Sequence, residues 1–181
     1  VGSAILWAPF YVVTDAGVRV ARAFGSDVPA DGYSTPYITS VVLASALYGF
    51  LAIALSTYAA YRMVGSLPVA TISAFVVWLG TPLLFYMYLA PGFSHACSAF
   101  AAAAFVVLWL HVRRQWSLAG VVALGMCAAV MGMVREQDLF MAIGPALDFV
   151  VWASRKVKSG SLSVSAAVVR AAAGTATVII C

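Results

Sequence analysis

The sequence predicts an all-α integral membrane protein, a polytopic bundle of about six transmembrane helices with an additional N-terminal helix on the outer membrane surface. The chain is 64% hydrophobic and only 9% charged, whereas an average soluble domain has about 25% charged residues. Residues 63–112 contain no Asp, Glu, Lys or Arg, and this run is long enough for two spans of about 20 residues each. Backbone groups in lipid must bond internally, and the alternation typical of a membrane barrel is absent, so the spans are expected to be helices.

The apolar segments lie at about 3–14, 37–61, 69–89, 93–112, 117–134, 139–153 and 162–181. Residues 90–92 (Ala-Pro-Gly) interrupt the longest uncharged run. We interpret residues 1–181 as a single transmembrane domain. Because the chain opens with Val1 and ends inside an apolar run, we expect it to be an internal fragment of a longer protein.

The basic loops predict the orientation. If every segment from residue 37 onward spans the membrane, one side collects Arg62, Arg113, Arg114, Arg155, Lys156 and Lys158. Lys and Arg are enriched in cytoplasmic loops, so this side is expected to be the cytoplasm. The net charge of +4 therefore indicates orientation and does not predict nucleic-acid binding. Short loops and Ala- and Val-rich helices favour a bacterial inner membrane.

The first segment is too short to span before Asp15, Arg19 and Arg22 appear. Its apolar face continues through Val18 and Phe24, which predicts an amphipathic helix lying on the outer surface. The alternative is a spanning helix whose beginning is missing.

The turn Arg135, Glu136, Gln137, Asp138 lies between two short apolar segments. Short spans would leave it below the membrane surface, where ionisable groups usually face protein or water. The planar guanidinium of Arg135 is suited to binding phosphate. The alternative is an ordinary polar turn.

Three further residues are candidates for a substrate cavity on the same side. His95 follows the turn at 90–92 and could bond a sugar hydroxyl or a phosphate, although a structural role is the alternative. Asp31 and Tyr37 belong to the turn-rich stretch 26–37, which is long enough to enter the cavity or to serve as a solvated linker.

Other polar and small residues are expected to be structural. Asp148 and Arg170 lie inside apolar segments, and their depths predict an intramembrane ion pair, with a proton or ion path as the alternative. Pairs of small residues four apart, Ser45 with Gly49 and Ala128 with Gly132, predict close helix contacts. Cys97, Cys127 and Cys181 show no metal-ligand spacing and are interpreted as packing residues.

Several stretches carry a resemblance to a known family: GSAILWAPF (2–10), DGYSTPY (31–37), SALYG (45–49), SHA (94–96) and GMCAAVMGMVR (125–135). In this respect the chain resembles the GT-C superfamily of integral membrane glycosyltransferases, in particular dolichyl-phosphate-mannose protein mannosyltransferases and their bacterial relatives. In that family a Gly-rich helix ends in a basic residue on the outer side, here Arg135, and the next helix contains a proline such as Pro145.

The resemblance implies a hexosyltransferase that moves a sugar from a polyprenyl-phosphate donor to an acceptor on the extracytoplasmic face. Arg135 would bind the donor phosphate. The family's acidic base lies upstream of the residue matching Gly2, so no catalytic base is named, and the fragment is expected to be inactive alone. The partners are then membrane lipids, the donor and an acceptor that is a protein, lipid or glycan. No cofactor or metal site is predicted, and a metal requirement, the sugar and the oligomeric state stay open.

Two other functions compete with this one. The chain could be part of a transporter or flippase, with Arg135 and Asp148 along a pathway, which would require interrupted helices and inverted repeats. It could also be a non-enzymatic scaffold in which Arg135 contributes only to folding.

Overall fold

The computed structural model describes residues 1–180, and within them every regular element is helical. The α-helices are α1 (Gly2–Ala23), α2 (Thr35–Val64), α3 (Leu67–Gly80), α4 (Leu83–Tyr88), α5 (His95–Val112), α6 (Leu118–Val134), α7 (Ile143–Lys158) and α8 (Val164–Ile180). A 3-10 helix, Glu136–Ala142, connects α6 to α7. The all-α prediction is confirmed. Cys181 lies outside the described residues.

Three of these helices are long and apolar enough to cross a membrane, namely α1, α2 and α5. Three more, α3, α6 and α8, are apolar but shorter. At 1.5 Å per residue, the 14 residues of α3 cover about 21 Å of a hydrocarbon layer about 30 Å thick. The chain therefore has the helices of an integral membrane protein, whereas the number of six spans stays a prediction.

The centre of the bundle is the parallel pair of α2 and α5. The Ser45 hydroxyl on α2 donates a hydrogen bond of 2.7 Å to the carbonyl of Pro91, just before α5. Further along, the rings of Tyr48 and Phe100 lie 4.9 Å apart. Ser45 and Gly49 are buried, and Gly49 packs against the Met87 side chain. The predicted small-residue contact at this pair is confirmed.

A second close contact joins α6 to α8. A side chain at Gly125 would collide with Thr177 and with the backbone of Gly174, so the two helices meet at their smallest residues. Ala128 is buried in the same helix, and Gly132 packs against Leu139 of the 3-10 helix. The close contact with α8 is therefore made at Gly125, which the sequence did not single out as a contact residue, whereas Gly132 of the predicted pair packs against the 3-10 helix.

Helix α1 packs side by side with α2. Its Leu6 carbonyl accepts a hydrogen bond from Tyr48, and its Asp15 accepts one from Tyr37. The earlier residue of α1 contacts the later residue of α2, and the later residue of α1 contacts the earlier one, so the two helices are antiparallel and lie side by side. This packing and the length of α1 favour the alternative of a spanning helix over the predicted surface helix at residues 3–14.

The predicted segment 69–89 is not one helix. Helix α3 ends at Gly80, and Thr81 is extended with φ −120° and ψ 163°. A residue before proline is pushed out of the helical region, and Pro82 also lacks a backbone donor. The chain restarts as the short helix α4, so this prediction is corrected to an interrupted helix.

The predicted ion pair between Asp148 and Arg170 is also wrong. Both carboxylate oxygens of Asp148 bind Arg113 instead, with distances of 2.9 Å to Nε and 3.1 Å to a terminal nitrogen. The Trp109 indole donates a third bond of 3.0 Å to the same carboxylate. The guanidinium of Arg170 lies over the ring of Trp152, 5.6 Å from its centroid. The rise per residue predicted that Asp148 and Arg170 lie at similar distances from the loop between their helices. That distance does not determine which side chains of neighbouring helices face each other.

Candidate functional site

The candidate site lies where α5 begins and α6 ends. The chain leaves α6 at Val134 and turns at Arg135, which is extended with φ −150° and ψ 116°. The turn is fixed on both sides, because the Arg135 backbone donates to Met131 and its carbonyl accepts from Asp138. The side chain of Arg135 is half-buried and reaches the first residue of α5.

That residue is His95. A terminal nitrogen of Arg135 lies 2.7 Å from Nδ1 of His95. A guanidinium can only donate, so Nδ1 accepts, and the ring proton of the neutral imidazole is on Nε2. The remaining guanidinium N–H groups and the Nε2–H of His95 have no hydrogen-bond partner in the described residues. The structure brings together two residues that the sequence nominated separately.

Aromatic rings position His95. Tyr86 on α4 stacks on the imidazole, with centroids 3.8 Å apart and an interplanar angle of 27°. Phe93 packs against both rings. Tyr86 was not nominated from sequence, because its contact depends on the break at Pro82 that turns α4 toward α5.

Neither of the two acidic residues that follow Arg135 in the turn neutralises it. Asp138 accepts a hydrogen bond of 2.5 Å from Ser98, and Glu136 is exposed. Within residues 1–180, no carboxylate oxygen lies within 4.0 Å of the Arg135 guanidinium. Arg135 is therefore a half-buried cation without an ion-pair partner in the described chain. Ser98 was missed, although it follows His95 by three residues and must share its helix face.

An apolar groove begins about one turn of α5 beyond His95, at Ala99. It has a volume of about 470 Å³ and lies between α2, α3 and α5. On α5 its wall is Ala99, Ala102, Ala103 and Val106, which recur at the spacing of one helix face that also includes His95. Its other walls are mostly Ala and larger apolar residues. The candidate site thus combines a cationic cluster with an apolar groove that begins about one helical turn away.

Asp31 and Tyr37 lie elsewhere. Ser45 contacts Pro91, just before α5, and Tyr37 lies about 12 Å from Ser45 along α2, away from the groove. The Tyr37 hydroxyl donates to Asp15 over 2.7 Å. Backbone N–H groups of Tyr33 and Ser34 donate to Asp31 and hold the pKa of this exposed carboxyl below its usual value. The structure therefore joins His95, Arg135 and Asp138 in one region, with Gln137 exposed beside them, and leaves Asp31 and Tyr37 outside it.

The described residues contain no group of three His, Cys, Asp or Glu side chains that could hold a metal ion. Comparisons with family models, with curated proteins and with solved structures found no significant match to this chain.

Proposed function

We propose that this chain belongs to a membrane glycosyltransferase that transfers a sugar, of hexose type, from a polyprenyl-phosphate donor. One observation carries the proposal: Arg135 and His95 form a donor cluster without a carboxylate partner. His95 lies about one helical turn from Ala99, where the α5 wall of an apolar groove begins. A polyprenyl-phosphate sugar has the same two parts, an anionic phosphate joined to a long apolar chain. The resemblance of residues 125–135 to the GT-C superfamily points to the same chemistry.

The role proposed for the cluster is electrostatic. When the sugar leaves its lipid carrier, negative charge builds up on the phosphate. Donors held in place before the reaction stabilise such charge most effectively. Arg135 would contribute charged N–H groups, and His95 would contribute Nε2–H while holding the guanidinium in place. Asp138 is bonded to Ser98 and is not assigned as the base, which the resemblance puts upstream of Gly2.

The groove would accommodate the polyprenyl chain. Its volume of about 470 Å³ falls among ligand pockets of about 300–1,000 Å³. Small Ala side chains leave room for a methyl-branched chain close to the backbones of α2 and α5. A short-chain phosphate would lose this contact and should bind more weakly.

We further propose that the Arg135 end faces away from the cytoplasm. The opposite end of the bundle holds Arg113 and Arg114 after α5, and Arg62 at the end of the parallel helix α2. That concentration of cations supports a cytoplasmic location for the opposite end. The bacterial inner membrane stays part of the proposal.

The transporter alternative has one observation in its favour. The segment 69–89 is interrupted at Thr81 and Pro82, and interrupted helices line the substrate sites of many transporters. Against it, Asp148, which that function needs along a pathway, is bound on both oxygens by Arg113. The glycosyltransferase is therefore the better-supported proposal.

Binding of polyprenyl phosphate to the full chain in lipid nanodiscs tests the proposal. Arg135→Gln should weaken binding about 10- to 100-fold, since hydrogen bonds to a charged group contribute about 1.5–3 kcal/mol. Arg22→Gln, which changes an exposed arginine in the last turn of α1, is the matched control and should bind as the unmodified chain does. Polyprenol without phosphate should bind equally to the unmodified chain and to both variants. Equal affinity of Arg135→Gln and the unmodified chain for polyprenyl phosphate would contradict the proposal.

A further inference from the structure

A second polar pocket lies at the other end of the bundle, away from His95 and Arg135. It has a volume of about 280 Å³ and is formed by the loop after α5, the end of α7 and the beginning of α8. Three cations line it, one from each of these parts: Arg114, Lys156 and Arg170. The rest of the lining is Gln115, Trp152, Ser161 and Leu162. The loop after α5 is distant in sequence from the consecutive helices α7 and α8, so the fold brings Arg114 to the other two cations.

The charge of this pocket is not balanced by the protein. Its lining contains no Asp or Glu. Asp148, one turn before Trp152 on α7, is already bound by Arg113. In the described part of the chain, no carboxylate oxygen lies within 4.0 Å of Arg114, Lys156 or Arg170. Three like charges around one small pocket repel each other, and an anion in the pocket would remove that repulsion.

Arg170 makes the need for an anion stronger. It is the seventh residue of α8, about 9 Å along the helix from its start, and it is half-buried. Its guanidinium lies 5.6 Å from the centroid of the Trp152 ring. A tryptophan and an arginine that reaches toward the helix end are typical of the boundary between hydrocarbon and headgroups. These two side chains are therefore consistent with a pocket at the level of the lipid headgroups.

We propose that this pocket binds a phosphate group at the membrane surface, carried by the headgroup of an anionic phospholipid or by a soluble phosphate ester. Two guanidinium groups and one ammonium group would donate charged hydrogen bonds to the phosphate oxygens. The Gln115 amide could add a neutral one. Exposed Val164 and Val168 on α8 offer an apolar surface beside the pocket for acyl chains. This site is independent of the phosphate site proposed at Arg135.

Native mass spectrometry of the full chain in a neutral detergent tests the proposal, with phosphatidylglycerol and phosphatidylcholine as probes. The unmodified chain should bind one phosphatidylglycerol in preference to phosphatidylcholine. The double variant Arg114→Gln/Arg170→Gln should weaken this binding about 25-fold, because each cation near an anionic lipid contributes about 1 kcal/mol, or about fivefold. Arg155→Gln changes an exposed cation in the last turn of α7 that does not line the pocket, and it should have little effect.

Glycerol 3-phosphate as a competitor identifies the source of the phosphate. Continued binding of phosphatidylglycerol at millimolar competitor supports the lipid headgroup. Binding of glycerol 3-phosphate with no preference for phosphatidylglycerol, lost in the double variant, supports a soluble ester. If Arg170→Gln lowers the folded yield, Arg114→Gln/Lys156→Gln changes only exposed side chains and gives the same comparison. The proposal would be overturned if the double variant bound phosphatidylglycerol and glycerol 3-phosphate as the unmodified chain does. It would also be overturned if Arg155→Gln lost as much of this binding as the double variant.

Discussion

The guanidinium of Arg135 donates a 2.7 Å hydrogen bond to Nδ1 of His95, which connects the end of α6 to the start of α5. The ring of Tyr86 stacks on the imidazole ring of His95. Because the histidine is held by stacking and the arginine by the histidine, both should be ordered before a ligand arrives.

Substitution of His95 should separate its acceptor function from its packing. His95→Asn retains a side-chain oxygen that can accept from Arg135, whereas His95→Leu does not. We expect His95→Leu to weaken polyprenyl-phosphate binding about tenfold, for the loss of about 1.4 kcal/mol of positioning, and His95→Asn to weaken it less. Equilibrium binding in nanodiscs measures both, with folded yield as the control. Equal affinities for His95→Leu and the unmodified chain would show that His95 does not position Arg135.

Filling the groove should reduce binding of long-chain phosphates selectively. Ala102 lines the groove, and Ala102→Phe would occupy part of it. Ala104→Phe adds the same ring on the same helix at a position outside the groove lining. We expect Ala102→Phe to weaken binding of a long polyprenyl phosphate about tenfold while leaving a two-isoprene phosphate unchanged, because only the long chain reaches the added ring. A similar loss with Ala104→Phe would indicate general damage to the fold.

The ion pair between Arg113 and Asp148 should appear in a double-mutant cycle. Its side chains are 44% and 24% exposed, so we expect a coupling free energy of only about 1 kcal/mol. Arg113→Gln and Asp148→Asn, singly and together, are compared by unfolding in mixed micelles. The same cycle with Arg170→Gln should give no coupling to Asp148. Coupling to Arg170 in place of Arg113 would contradict the observed contact.

Packing of α6 on α8 should be sensitive to any side chain at Gly125. Gly125→Val would collide with Thr177 and the Gly174 backbone, and overpacking of this kind destabilises by about 1–3 kcal/mol. Gly17→Ala is the control, since nothing lies within 4 Å of its added methyl group, and it should be neutral or slightly stabilising. The free energy of unfolding in mixed micelles distinguishes them, and a neutral Gly125→Val would argue against the α6–α8 contact.

The loop before α2 should loosen at acid pH. The folded loop lowers the pKa of Asp31 through bonds from the Tyr33 and Ser34 backbone, so its carboxylate stabilises the loop at neutral pH. This stabilisation is lost as the pH falls through the lowered pKa, and not above it. Amide exchange at Tyr33 and Ser34, corrected for intrinsic rates, should show protection at neutral pH that disappears in acid. Asp31→Ala should lack this protection throughout, and a loop equally protected in Asp31→Ala would contradict the prediction.

Much of the helical architecture could be predicted from the sequence, because charge-free apolar runs of spanning length permit few other structures in lipid. The depth of residues along a helix was also accessible, and it correctly put His95 and Arg135 at one end. What could not be predicted was which helices are neighbours. Asp148 and Arg170 have compatible depths, yet α7 presents Asp148 to Arg113 of α5 instead.

Local breaks in the chain account for the other differences. Thr81 and Pro82 divide a segment whose composition is uniformly apolar, and this break brings Tyr86 to His95. The side-by-side packing of α1 on α2 depends on Tyr48 and Tyr37 reaching Leu6 and Asp15. Hydropathy does not register such contacts, because they depend on single side chains that reach a particular partner.

Photo-crosslinking would test the central proposal most directly, using a polyprenyl phosphate that carries a diazirine on its first isoprene unit. Labelled peptides of the full chain in nanodiscs are then mapped by mass spectrometry. The proposal predicts adducts on Tyr86, Phe93 or the residues around Arg135, with labelling reduced in Arg135→Gln. Adducts confined to the opposite end, around Arg114 and Trp152, or labelling unchanged in Arg135→Gln, would contradict it.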